Sequence, residues 1–213
     1  MCDLLAALTP RAVLPFAGAY VIGGRQAYKN RYLGTTSWDE CATEVLARRP
    51  DQKVCLLREG DTLDILSLTN DKPYAPININ AQSNYIDSVL KELEYEWESD
   101  NLPSIDELLS DLEIASAKMI TRGIEFGISA GSTVVISLDG SNVEIFPHFD
   151  NSPKARINFE QVLICSLNPK LLRRILDRKA HWNNAEIGCH IDFFRNPNVY
   201  EPDLHTLLQF LHL

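Results

Sequence analysis

Five histidines, five cysteines and 29 aspartates and glutamates are the raw material for metal or nucleophilic chemistry in this chain. His148, His181, His190, His205 and His212 include no pair at the H-x-H or H-x-x-x-H spacing that aims two imidazoles at one ion. His205 and His212 fall on one face of the last expected helix, where a solvated or capping role is the ordinary expectation. Cys189 and His190 are neighbours on an expected strand, so they point to opposite faces and do not chelate together. There is no G-x-S-x-G elbow and no phosphate-binding G-x-x-x-x-G-K, and residues 18–24 are too irregular for a dinucleotide fingerprint. Gly23-Gly24 suits a tight turn or a close backbone approach. The alternating carboxylates Glu92, Glu94, Glu96, Glu98 and Asp100 spread around a helix and read as a solvated face.

The densest polar constellation is His181-Trp182-Asn183-Asn184-Ala185-Glu186, followed by Arg195-Asn196-Pro197. Trp182, Asn183, Asn184, Glu186 and Arg195 stand at the two ends of one expected strand. There they could line a polar pocket, with Arg195 clamping a carboxylate or phosphate. The same residues also make a structural corner, with Trp182 in the core, the amides satisfying turn backbone and Glu186 paired with Arg195.

The elements that must position these groups begin with a short amphipathic stretch, residues 4–8, and a wholly apolar run, 12–18, which reads as a strand buried on both faces. The next strand, 53–57, cannot cover it alone, so its partner strands are expected before Met1 or in another chain. Ser37-Trp38-Asp39-Glu40 is a capping box opening a helix over 38–48. Pro50-Asp51 ends that helix, Glu59-Gly60-Asp61 is a turn, and 63–68 is a further short apolar run. Residues 69–80, rich in Asn, Asp and Pro, form the expected linker, with a boundary near Gln82.

Beyond it, Ile86, Val89, Leu90, Leu93 and Trp97 share a helical face, and Ser104-Ile105-Asp106-Glu107 is a second capping box. The longer helix it opens carries the stripe Ile105, Leu108, Leu109, Leu112, Ala115, Met119, which reads as core. Residues 133–138 and 143–146, joined through Asp139-Gly140, predict a hairpin. A third strand is expected over 155–163, and Asn168-Pro169 caps a helix with Leu171, Leu172, Ile175 and Leu176. A fourth strand over 187–194 and a helix carrying Leu204, Leu207, Leu208 and Leu211 close the order.

Composition excludes some partners. The chain's 213 residues are 45% apolar and 23% charged, with a formal net charge of -9. That balance argues against a nucleic-acid surface, which needs a basic face. No apolar run reaches the roughly 20 residues of a membrane span, and mean hydropathy is -0.13. Residues 1–5 lack the basic flank and apolar stretch of a secretory signal. Cys2, Cys41, Cys55, Cys165 and Cys189 are odd in number and include no C-x-x-C, as expected of a reduced, cytoplasmic chain.

Two stretches carry a resemblance: Val13-Leu14-Pro15-Phe16-Ala17-Gly18 with Asn30 downstream, and His181-Trp182-Asn183-Asn184-Ala185-Glu186-Ile187-Gly188 leading to Phe194-Arg195-Asn196-Pro197. They resemble the C-terminal part of metallo-β-lactamase-fold hydrolases of the ascorbate-6-phosphate-lactonase-like and CMP-N-acetylneuraminate-hydroxylase-like kind. That family's αββα sandwich holds zinc or another divalent metal on loops, with an H-x-H-x-D-H signature upstream of its closing strand. This chain lacks the signature. The run ending at Gly18 is similar to the closing strand, which in many members delivers a histidine in a Pro-x-His context; the matching position here is Ala17. Phe16, Gly18 and Asn30 then form a loop near a site whose metal ligands lie elsewhere.

The resemblance implies an α+β or α/β chain. Residues 1–82 would be the C-terminal remnant of the sandwich, and 83–213 a mixed α+β domain with a mainly antiparallel sheet. In element order the latter is similar to the sterol-carrier-protein-like module, which implies an apolar tunnel or a homodimer surface. Two functions follow as expectations. One is a hydrolase-like C-terminal part, a fragment or a degenerate member, partnered by an upstream segment or companion chain and inactive alone; the other is a non-enzymatic apolar-ligand-binding or assembly module.

Overall fold

The computed structural model describes residues 2–16, 20–128, 131–139, 144–145 and 160–213. Gly18 and His148 lie outside the described residues. The chain is mixed α+β and divides into two compact units, Met1–Leu93 and Glu94–Leu213.

Unit 1 is built from short elements. Helix α1, Cys2–Leu8, precedes the apolar run expected as a buried strand. That run is instead open: Leu14 is 41% and Phe16 83% exposed, and its described pairing is one parallel bridge, Val13 to Val54. Pro15 has no N–H to donate to a ladder, so strand pairing cannot continue through it. The 53–57 strand shrinks to the same bridge, made by Val13 N to Lys53 O and Cys55 N to Val13 O at 2.9 Å each. A 3₁₀ segment, Gly24–Tyr32, follows the run.

Helix α2, Trp38–Arg48, opens with the predicted capping box: Ser37 Oγ accepts from Glu40 N, and Glu40 accepts from Ser37 N. The Ser37 hydrogen bonds hold the Glu40 carboxyl below the usual carboxylate range. Residues 63–68 form not one run but strand β1, Leu63–Asp64, and a turn capped by Asp64 Oδ1, which accepts from Leu66 N and Ser67 N. The turn returns the chain as β2, Thr69–Asn70, antiparallel to β1. The expected linker therefore contains β2 and the start of helix α3, Ile79–Ser88, which Asn78 caps. The single helical face expected from Ile86 to Trp97 does not form. After Ser88 the β-branched Val89 leaves helical geometry, and separate 3₁₀ turns follow at Leu90–Glu92 and Glu96–Ser99.

Unit 2 is organised around helix α4, Ile105–Phe126. Its predicted stripe is the buried face: Leu108, Leu112, Ala115 and Met119 are all at 0% exposure. The second capping box is not made, since Ser104 stands at the N-cap without a side-chain cap bond. Gly127 ends the helix at φ 67°, a left-handed conformation that glycine adopts without a Cβ penalty.

Strand β3, Thr133–Leu138, pairs antiparallel with β4, Glu144–Ile145, as the hairpin pattern predicts. The turn itself, from Gly140 to Val143, lies outside the described residues. Of the third strand expected over 155–163, residues 155–159 lie outside the described residues; the strand described there is β5, Val162–Leu167, with Val162, Leu163, Cys165 and Leu167 buried. It pairs parallel to β3, with Val134 opposite Leu163 and Ile136 opposite Cys165. In the order β4-β3-β5-β6 the two outer pairings are antiparallel, as expected of a mainly antiparallel sheet, and the central pairing is parallel, which makes the sheet mixed. Residues 139–161 give the long connection that a parallel pairing requires.

Helix α5, Pro169–Leu176, is capped by Asn168, whose Oδ1 accepts from Lys170 N at 2.9 Å. Residues 187–194 are not one strand. Helix α6 covers Trp182–Ile187, a turn follows with Cys189 at φ 57°, and β6 runs over Asp192–Asn196, antiparallel to β5. Helix α7, Pro202–Leu208, completes a core that joins Trp182, Leu172, Ile175 and Leu176 to the α4 stripe and the two central strands. Burying each such side chain stabilises by about 1.5–3 kcal/mol, so the core dominates the unit. Among the described residues no helix is long and apolar enough to cross a membrane.

Candidate functional site

The predicted constellation forms around α6, but in two separate places. His181 caps this helix: its Nδ1 accepts from Asn183 N at 3.2 Å, and its carbonyl accepts from Ala185 N at 3.0 Å. Winding residues 182–187 sends Trp182 and Ala185 into the core and leaves Asn184 and Ile187 at the surface. Trp182 is 1% exposed, and its indole Nε1 is buried without an acceptor. Asn183 lends its backbone N–H to the cap, and the Asn184 carbonyl receives Gly188 N at 2.8 Å.

Glu186 and Arg195 do come together, through a residue the sequence pattern assigned to solvent. His205 is 3% exposed on α7 and sits between them. Arg195 Nη2 lies 3.2 Å from His205 Nε2, and Glu186 Oε1 lies 2.7 Å from His205 Nδ1. A guanidinium can only donate, so Nε2 is the acceptor and the imidazole proton resides on Nδ1, facing the carboxylate. The carboxylate is off the line of that N–H, so the contact is electrostatic rather than a well-aligned hydrogen bond. The imidazole thus stands between an anion and a cation. The ring packs against Tyr200 at 4.6 Å and Phe193 at 5.3 Å, and the Arg195 guanidinium lies 5.3 Å from Phe193 and 5.7 Å from Tyr200.

A carboxylate orienting an imidazole is the skeleton of a general base, but here the nitrogen that would take a proton is occupied by Arg195. The space beside it, bounded by Ser132, Pro197, Val199 and Glu201, measures 10 Å³, room for a single water and not for a substrate. Cys165 on β5 supplies no nucleophile to this array. Burial, and then the negative charge of Glu186, push its thiol pKa up, with Arg195 opposing weakly. The array is therefore a buried structural relay that ties α6, β6 and α7 together. The signal for it lay in spacing: His205 falls within the stripe of Leu204, Leu207 and Leu208, a position that is buried on any regular helix.

Trp182 and Asn184 instead line a surface cleft of 430 Å³ between the end of α5, α6 and the chain following α7. Glu186, Asn183 and Arg195 do not line it. Cations reach it from the turn after α5, where Arg178 and Lys179 stand beside His181 and His212. His190 takes no part. Its ring meets Tyr95 edge-on at 4.4 Å and Trp97 at 6.1 Å.

In unit 1, Phe16 lies at the surface. Asn30 serves the backbone: its Oδ1 accepts from Ile22 N, and its Nδ2 donates to Ile22 O and Ala27 O, each at 2.7 Å. This clamp shapes one wall of a 1020 Å³ cleft whose apolar lining includes Tyr20, Tyr28, Ile79 and Ile86. Acidic and hydroxyl side chains edge it, and Ser37, Asp39 and Glu40 are committed to the α2 cap and to Tyr74, whose hydroxyl donates to Asp39 at 2.9 Å.

Among the described residues no group of three or more His, Cys, Asp or Glu is placed to hold a metal ion, so they offer no ligand set for the metal that the resemblance implies. Compared with protein-family models, with curated proteins and with solved structures, the chain matches none.

Proposed function

We propose that this chain is the C-terminal, hydrolase-like part of a metallo-β-lactamase-fold protein, with the metal-bearing segment outside it and no hydrolysis by the chain alone. One observation carries this reading: the apolar surface of unit 1 around its first segment. Leu4 is 60%, Leu8 64%, Leu14 41% and Phe16 83% exposed. Burial of each such side chain is worth about 1.5–3 kcal/mol, so a companion sandwich covering them would bind without further polar contacts. Four exposed large apolar side chains within 13 residues of one segment are the kind of surface that a partner covers.

The test starts with the DNA upstream of the Met1 codon, where a segment bearing H-x-H-x-D-H is expected in the same or an adjacent frame. Co-expressed with this chain it should give a zinc-bearing 1:1 complex, weakened by Leu14→Ser with Phe16→Ser. Stoichiometric zinc and hydrolase activity in this chain alone would overturn the proposal.

A second reading, a non-enzymatic module for an apolar ligand, is favoured by the 1020 Å³ cleft of unit 1. Native mass spectrometry followed by solvent extraction separates the two readings, since a co-purifying lipid or other apolar molecule supports the second. The described core of unit 2 is packed with its own side chains, so this reading places the ligand in the cleft of unit 1.

A further inference from the structure

The cleft beside α6 reverses the sign of its surroundings. Unit 2 carries most of the chain's formal charge of -9, yet no carboxylate lines this cleft. Its polar lining is Arg178, Lys179, His181, Asn184, Gln209 and His212, and its floor is apolar, formed by Ile175, Trp182 and Leu211.

The turn that presents the cations is strained. Arg178 adopts φ 60°, while Lys179 N and Ala180 N both donate to Arg174 O at 2.8 and 3.1 Å. A left-handed backbone is uncommon for a non-glycine residue and is retained where the surroundings enforce it. Here it turns two successive cations to one side. The Arg178 guanidinium rests against His212, with Nε 3.0 Å from Nδ1 and Nη2 3.1 Å from Nε2. Nδ1 accepts from Arg178 Nε and also lies 3.4 Å from Leu213 O, and among the described residues no side-chain carboxylate pairs with the Arg178 guanidinium. Lys179 Nζ is 3.2 Å from Asp177 Oδ2, but its side chain is 68% exposed, so this pair is screened and easily opened.

We infer that this cleft binds a small organic anion, a carboxylate or phosphate monoester with an apolar body, held by Arg178 and Lys179 over the Trp182 floor. The guanidinium offers a planar fork of donors that matches either head group. Asn184 and Gln209 supply amide donors at the rim, and the apolar floor takes the body of the ligand. A volume of 430 Å³ is in the range of small-ligand sites. Burial, followed by the charge of Arg178, holds the His212 pKa down, and an anion in the cleft would relieve the second effect. The assignment rests on unit 2 alone and is independent of the hydrolase reading.

The test is a titration of the full ¹⁵N-labelled chain with phenyl phosphate, benzoate and the uncharged benzyl alcohol. Both anions should shift the Arg178, Lys179 and Gln209 backbone signals and the Trp182 indole signal saturably, and the alcohol should not. The ratio of the two anion affinities then tells phosphate from carboxylate. Arg178→Gln with Lys179→Gln should weaken phenyl phosphate by about 10-fold or more, and Lys179→Gln alone, at an exposed side chain that cannot disturb folding, by about 3-fold. Shifts that do not saturate in the millimolar range, equal shifts with benzyl alcohol, or wild-type affinity in Lys179→Gln would overturn the inference.

Discussion

The two units of this chain hold themselves together by different means. Among the described residues unit 1 buries Leu5, Ile22, Ala42, Val45 and Cys55, and the other buried apolar side chains, from Trp97 to Leu211, belong to unit 2. Unit 1 relies instead on local polar devices: the Asn30 clamp, the Ser37–Glu40 box and the Asp64 turn. Each of these satisfies backbone groups within a few residues, and none adds the cooperativity of a shared core. A region built this way opens at lower free energy than a packed one. Its stability would rise with any partner that covers its apolar surface.

The largest expected effect probes that contrast directly. Leu112→Ala in unit 2, at a fully buried position on α4, should cost about 2–5 kcal/mol in urea denaturation. Val45→Ala in α2 of unit 1 should cost roughly half as much, because a smaller side chain is lost from a smaller core. Limited proteolysis of the wild-type chain should degrade unit 1 first and leave a fragment beginning near Glu94. Simultaneous loss of both units would break the comparison.

Next in size is the relay of unit 2, which has no counterpart in unit 1. His205→Ala leaves Arg195 and Glu186 facing an empty site and should cost about 2–4 kcal/mol. His205→Gln, whose amide can accept from Arg195 and donate toward Glu186, should recover part of that loss. A double-mutant cycle with Glu186→Gln reads the coupling. Independence of the two substitutions would show that the 2.7 Å contact contributes nothing. Smaller again is Gly127→Ala, where a side chain must adopt φ 67°. About 1 kcal/mol should be lost there, measurable as a lower Tm with the unit 1 transition unchanged.

The sequence made the local devices legible and the long-range ones not. The Ser37–Glu40 box, the α4 stripe, strand β3 and the Asn168-Pro169 cap are all written in adjacent residues, and each forms. Ser104 has the same signature as Ser37 but makes no cap bond, because the signature fixes residue types and not side-chain rotamers. The alternation of Ile187, Cys189, Ile191 and Phe193 has the period of a strand. The His181 cap and the left-handed Cys189 convert its first part into a helix end and a turn. The parallel pairing of β3 with β5 depends on a long connection, which periodicity does not encode. For the site, Trp182, Asn184, Glu186 and Arg195 were found by type, but their partition between a cleft and a buried relay depended on His205, Arg178 and His212 arriving from other elements.

The smallest prediction uses a difference in composition between the units. All five histidines lie beyond residue 93, so unit 1 has none. His212 has its pKa lowered from 6.5, first by burial and then by the charges of Arg178 and Lys118. Its unfolded form therefore binds a proton before its folded form does. The resulting contribution to folding is fully present above the unfolded pKa and is lost as pH falls through the folded one. Between pH 7 and about pH 5, this group should make unit 2 less stable on acidification while unit 1 holds steady. The Glu40 and Asp64 carboxyls of unit 1, held low by hydrogen bonds from neighbouring residues, lose their contribution only in the more acidic carboxylate range. Hydrogen exchange at amides of α5 and α7, compared with those of α2, resolves the two. His212→Asn should flatten the pH slope in α5 and α7 without altering α2, and an unchanged slope would assign it to another histidine. Bound phenyl phosphate should reduce the slope as well, because an anion beside Arg178 offsets the positive charge that disfavours the imidazolium.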